Sequence, residues 1–100
     1  MHYLLFYEKV KDFEKLQEPF MAAHRTHVIA AAQQGNLVLA GNLADPVDGS
    51  ALLLFQCDSS ATVEAFAQTD PYVTAGIISH WRLRAWDTIV DKYAAFPYPN

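Results

Sequence analysis

Two rhythms of apolar residues take turns along this chain, and their order restricts the fold to a short list. Strand-forming runs rich in aromatic and branched side chains occupy about His2–Tyr7, Leu37–Gly41, Ala51–Cys57 and the residues after Gly76. Helix-spaced apolar residues fill the intervals between the first and second runs and between the third and fourth. The predicted order is β-α-β-β-α-β. That order builds a four-stranded antiparallel sheet with two helices on one face, an α+β, ferredoxin-like protomer.

The first helical stretch starts near Asp12. Phe13, Leu16, Phe20, His24, His27, Val28 and Ala31 fall on one broad face, with Arg25, Gln33 and Gln34 pointing elsewhere. Pro19 removes a backbone donor and clashes with the preceding turn, so a short piece precedes it and the main helix runs from Pro19 to about Gln34. Gly35 suits a left-handed stop. Asp58 or Ser59 caps the second helix, which carries Val63, Phe66 and Ala67 inward and leads to Asp70-Pro71. In the last strand Ile78, His80, Arg82, Arg84 and Trp86 alternate with Ile77, Ser79, Trp81, Leu83 and Ala85, giving one polar and one apolar face. The basic stripe His80, Arg82 and Arg84 fits an exposed or ion-paired face better than an anion site.

Helices cover only one side of such a sheet, and the other side needs a partner. Apolar residues make up 52% of the chain, slightly above the usual share, which favours a homodimer packed sheet to sheet. One hundred residues leave room for one domain, assigned to residues 1–94. Residues 95–100 form a tail whose Pro97 and Pro99 prevent regular pairing, while Phe96 and Tyr98 suit packing across a neighbouring subunit.

Charge and cysteine usage narrow the setting. With 7 basic residues against 11 acidic, the chain lacks the positive field that attracts nucleic acid. Cys57 stands alone and reads as a buried strand residue, compatible with a reducing compartment. The N-terminal apolar run has no basic leader and breaks early, so no membrane segment is expected and the location expected is cytoplasmic.

The residues that point toward chemistry are His24 and Asp70. A carboxylate bonded to one ring nitrogen fixes the imidazole tautomer and stabilises its protonated form, leaving the other nitrogen to exchange a proton with a substrate. Asp70 before Pro71 is equally the pattern of a helix N-cap with proline at the first helical position, and the two roles are compatible. Tyr72, His27 and Asp45 are the candidate substrate contacts, Tyr72 beside the acid and Asp45 on a polar loop, 42–50, that would form a rim. His24 and His27, at i and i+3, could share a metal with Asp70, but no cysteine or second acidic cluster accompanies them, and no metal or cofactor is expected. The expected partner is a small organic molecule. No nucleophile motif or glycine-rich phosphate loop is present.

The spacing from His24 to Gly35, the run Val38-Leu39-Ala40-Gly41, and Asp70-Pro71-Tyr72-Val73 with Ala75-Gly76 resemble the YCII-related proteins over nearly the whole chain. The resemblance implies a dimeric α/β barrel of ferredoxin-like protomers, similar in shape to muconolactone isomerase, with His24 and Asp70 as the site. It also implies an arginine where this chain has Met21 and a proline where it has Ala85. That arginine would bind an anionic substrate, so its replacement by Met21 leaves anion binding open, and Arg25, about 100° around a helix from His24, is no automatic substitute. A dehydrochlorinase acting on a chlorinated hydroquinone is the enzymatic precedent. The resulting reading is a lyase or isomerase using His24 and Asp70 for proton transfer. A non-catalytic small-molecule-binding module is the alternative, and a cofactor-free monooxygenase the third.

Overall fold

Strand β1 (His2–Lys9) lies inside the sheet because its side chains are apolar on both faces, and it pairs antiparallel with β3 (Ser50–Gln56) on one side and β4 (Ile78–Trp86) on the other. β2 (Leu37–Asn42) closes the order β2-β3-β1-β4 from the far edge of β3. This is the ferredoxin-like arrangement, the protomer fold of dimeric α/β barrels. The computed structural model describes residues 1–90, so the proposed tail at 95–100 and the end of the 1–94 domain range lie outside the described residues.

Pleating sends Tyr3, Leu5 and Tyr7 to one face, directly opposite Phe55, Leu53 and Ala51 of β3, and all six are buried. Helix α2 (Met21–Gln33) and helix α3 (Ser60–Thr69) cover this face, the latter inserting Val63, Phe66 and Ala67. Phe55 meets Phe66 edge to face with centroids 5.0 Å apart. Truncating a fully buried core residue such as Leu5 to alanine would cost about 2–5 kcal/mol, a large share of the stability of a domain this size.

The sequence reading of the first helical region holds in outline. A four-residue helix α1 (Phe13–Leu16) precedes a 3-10 turn at Glu18–Phe20 that contains Pro19, and α2 follows directly. Gly35 ends α2 with φ of +85°. Ser59, rather than Asp58, caps α3, its hydroxyl accepting from the Ala61 N–H at 3.1 Å. The chain then makes a second short helix, α4 (Pro71–Thr74), before Gly76 and β4.

Three details depart from the sequence reading. β1 continues two residues beyond Tyr7, since Glu8 and Lys9 still pair with β4. The ladder slips between Glu8 and Lys9, which sets Ile78 opposite Lys9 on the helix-covered side and buries it, although its even position had matched the polar face. Cys57 falls past the end of β3 and is only half-buried. Its backbone N–H bonds the Met1 carbonyl, and its Sγ lies 3.4 Å from the Ser59 carbonyl in the turn leading to α3.

The face of the sheet away from the helices carries rows set by register. Leu39, Leu54, Leu4 and Arg84 form one, and Gly41, Leu52, Phe6 and Arg82 the next. The Arg82 guanidinium lies over the Phe6 ring, 4.4 Å from its centroid. No helix among the described residues is long and apolar enough to cross a membrane.

Candidate functional site

Asp70 stands where α3 gives way to α4. Its backbone is extended, Pro71 follows as a first helical residue without an N–H to satisfy, and its side chain folds forward to accept the Tyr72 N–H at 2.9 Å. The same oxygen, Oδ1, accepts from Nδ1 of His24 at 2.8 Å. The other oxygen, Oδ2, accepts the Tyr7 hydroxyl at 2.8 Å from the floor of the sheet. Asp70 is thus a helix cap and the partner of His24 at once, and it is fully buried.

Burial by itself raises the pKa of Asp70. The bond from His24, the Tyr72 N–H, the charge of His24 and the Tyr7 hydroxyl more than reverse that effect and leave it below the ordinary carboxylate value. The carboxylate is therefore ionised at neutral pH. Tyr7 responds in the opposite direction: burial, the adjacent negative charge and its donated hydrogen bond all raise its hydroxyl far above the ordinary value, keeping it protonated as a donor.

His24 comes from the first half of α2, and its ring lies flat on Tyr72, with centroids 3.8 Å apart and planes within 6°. An anionic carboxylate can only accept, so Nδ1 carries a proton. Nε2 has no protein hydrogen-bond partner among the described residues, and the ring is part of the wall of a cavity of about 270 Å³ between α2 and the sheet. Tyr7, Leu53 and Tyr72 line its depth, with Met21, Arg25 and Ile29 among the residues of the α2 side.

Of the sequence candidates, His24, Asp70 and Tyr72 are brought together, and His27 and Asp45 are not. His27 turns to the other side of α2, stacks on Phe66 at 4.4 Å and donates from Nε2 to the Phe66 carbonyl at 2.9 Å. Asp45 lies exposed on the loop after β2, and neither it nor Asp48 lines the cavity; Asp48 accepts the Ser50 N–H instead. The rim on the sheet side comes from Ala40, Gly41 and Asn42 of β2. Among the described residues, no three His, Cys, Asp or Glu side chains are grouped to hold a metal ion.

A model of the YCII-related domain matches residues 1–87. The chain belongs to the YCII-related family. Among curated proteins, none matches this sequence. Among solved structures, this YCII-related chain is similar to 5-chloro-2-hydroxyhydroquinone dehydrochlorinase from Burkholderia phenoliruptrix AC1100, solved in complex with 2,5-dihydroxybenzoquinone. The TM-score is 0.73 and the identity 17%, over 87% of this chain and 94% of that one. It is also similar to a NIPSNAP family protein from Agrobacterium tumefaciens str. C58, with TM-score 0.59 and 10% identity over 93% and 97% of the two chains. An antibiotic biosynthesis monooxygenase gives TM-score 0.55 and 13% identity over 90% and 100%. At these identities the likeness is one of fold.

Two cavity residues of this YCII-related chain escaped the sequence reading. The expected first strand stops at Tyr7, and neither Tyr7 nor Lys9 is a candidate site residue there. Their shared odd spacing with Tyr3 and Leu5 was the available signal, because it points all four to the helix-covered face. Lys9 is half-buried, with Nζ 5.0 Å from the Phe13 centroid, 5.3 Å from that of Tyr72, and 3.2 Å from Gln17 Oε1. Gly49 permits this packing: it has φ of +88°, and a Cβ there would come within 3.1 Å of Phe13 and 3.2 Å of Lys9. Arg25 corrects a further expectation, since it borders the cavity together with Met21, His24 and Val28. Those positions follow i, i+3, i+4 and i+7, a single stripe on α2.

Proposed function

We propose that this protein binds a small, partly apolar organic molecule in the cavity beside His24 and exchanges a proton with it through Nε2 of that residue. The observation that carries the reading is the Nδ1–Oδ1 bond between His24 and a fully buried, ionised Asp70. Asp70 orients the ring and fixes its tautomer, and Tyr7 and the Tyr72 N–H hold Asp70 in turn. Tyr72 supports the imidazole from its flat side. A base so placed removes a proton from a phenol or from carbon next to a carbonyl. Isomerisation or elimination then follows, so the reaction class is lyase or isomerase.

The fold shared with a dehydrochlorinase makes loss of HCl from a chlorinated hydroquinone the first reaction to try. His24→Gln preserves hydrogen bonding but cannot transfer a proton at neutral pH. Chloride release from 5-chloro-2-hydroxyhydroquinone should fall by about 10²-fold or more in this variant, while affinity for 2,5-dihydroxybenzoquinone stays within a few-fold. Turnover that survives the substitution contradicts the proposal, and binding without turnover in the native chain reduces the cavity to recognition alone.

The working unit in this reading is a homodimer. Its second copy covers the sheet face that bears Leu4, Leu39, Leu52 and Leu54.

A further inference from the structure

We infer that Lys9 and Arg25 form an oxyanion-recognition pair in this cavity, selecting a single-ring acid, carboxylate or phenolate, over its neutral counterpart. The inference rests on the reading that the cavity takes a small organic ligand, and it specifies the charge of that ligand.

The charges a ligand would meet are one-sided. Lys9 and Arg25 both line the cavity, whereas Asp70 is sealed beneath it with both oxygens engaged by Tyr72, His24 and Tyr7. Among the described residues, neither Lys9 nor Arg25 has a carboxylate within ion-pair distance. The contacts of Lys9 are neutral: the amide oxygen of Gln17 and the faces of Phe13 and Tyr72. A half-buried ammonium with neutral neighbours gains more from an incoming anion than an exposed one does. Burial lowers the pKa of Lys9, with the charge of Asp70 acting in the other direction, as expected of a cation short of a close counter-charge.

This local positive field arises on a chain whose net charge is −4, so it does not follow from general basicity. Met21, Val28 and Leu53 supply apolar wall. The volume, about 270 Å³, lies just below the range of about 300–1,000 Å³ typical of drug-sized ligands, which favours one ring.

The test titrates the full-length ¹⁵N-labelled protein with benzoate and 2,5-dihydroxybenzoate and with the matching amides, benzamide and 2,5-dihydroxybenzamide, following amide shifts at neutral pH. The acids should bind about tenfold or more tighter than the amides, with a preference that shrinks at high salt. Lys9→Met combined with Arg25→Gln should bring acid and amide within about twofold, while Lys9→Arg, which keeps the charge, should retain the preference. Equal binding of acid and amide, a preference that survives the double substitution, or no response of cavity residues to either acid at millimolar concentration overturns the inference. His24→Gln separates this from the proton-transfer reading: it should lower turnover by about 10²-fold or more and leave the acid-over-amide preference in place.

Discussion

The Tyr7 hydroxyl donates to Oδ2 of Asp70 at 2.8 Å, on the oxygen that His24 does not use. A strand residue from the middle of the sheet thus anchors, from below, the acid that holds a helix residue from the side. The arrangement explains how a fully buried carboxylate keeps its charge: both of its oxygens are engaged, and the three donors come from three different elements.

Tyr7→Phe removes one donor from that set and changes little else in shape. Hydrogen bonds to charged groups contribute about 1.5–3 kcal/mol, and the loss should fall in that range at neutral pH, read as a lower urea midpoint at unchanged slope. The carboxyl of Asp70 should move up toward its ordinary value, because one of the interactions that lower it is gone.

Asp70→Asn tests the charge itself. The folded-state pKa of Asp70 is depressed, so its contribution is present above the unfolded carboxylate value of about 3.9 and is lost as pH falls through the lower folded value. Urea denaturation over a pH series should show the native chain more stable than the variant near neutrality. The gap should close on acidification below about 4. A gap independent of pH would mean that the charge of Asp70 does not contribute to stability.

At Asp70 the sequence carries one local signal, proline after an N-cap residue, which marks the helix start. Its pairing with His24 was implied by the resemblance to the YCII-related proteins, since no spacing within one element links residues so far apart in the chain. The β-α-β-β-α-β order was legible because periodicity reports which face a residue takes within one element. What periodicity leaves open is which neighbour that face meets. Helix α2 packs in two directions, so His27 went to Phe66 and Arg25 to the cavity, opposite to the single-face reading. Tyr7 and Lys9 were obscured because their roles depend on register with β4 and on the placement of α4. Asp45 sits on a loop, where periodicity fixes no direction at all.

Leu54 lies on the open sheet face between Leu39 and Leu4. Leu54→Lys puts an unpaired charge in the middle of the proposed sheet-to-sheet contact, and such charges are costly to bury. Light scattering after size exclusion should give twice the chain mass for the native protein and a shift to one chain mass for the variant at micromolar concentration. A monomeric native protein would rule out the contact, and a dimer indifferent to the substitution would place it elsewhere.

Asp70 accepts from Nδ1 of His24, which places the proton on that nitrogen and leaves Nε2 open to the cavity. Long-range ¹H–¹⁵N correlation of the His24 ring, at a pH where the imidazole is neutral, reads this directly in the native chain and in Asp70→Asn. A single Nδ1–H tautomer is expected in the native protein and a mixture in the variant. An Nε2–H tautomer in the native protein, or the same pattern in both, would contradict it.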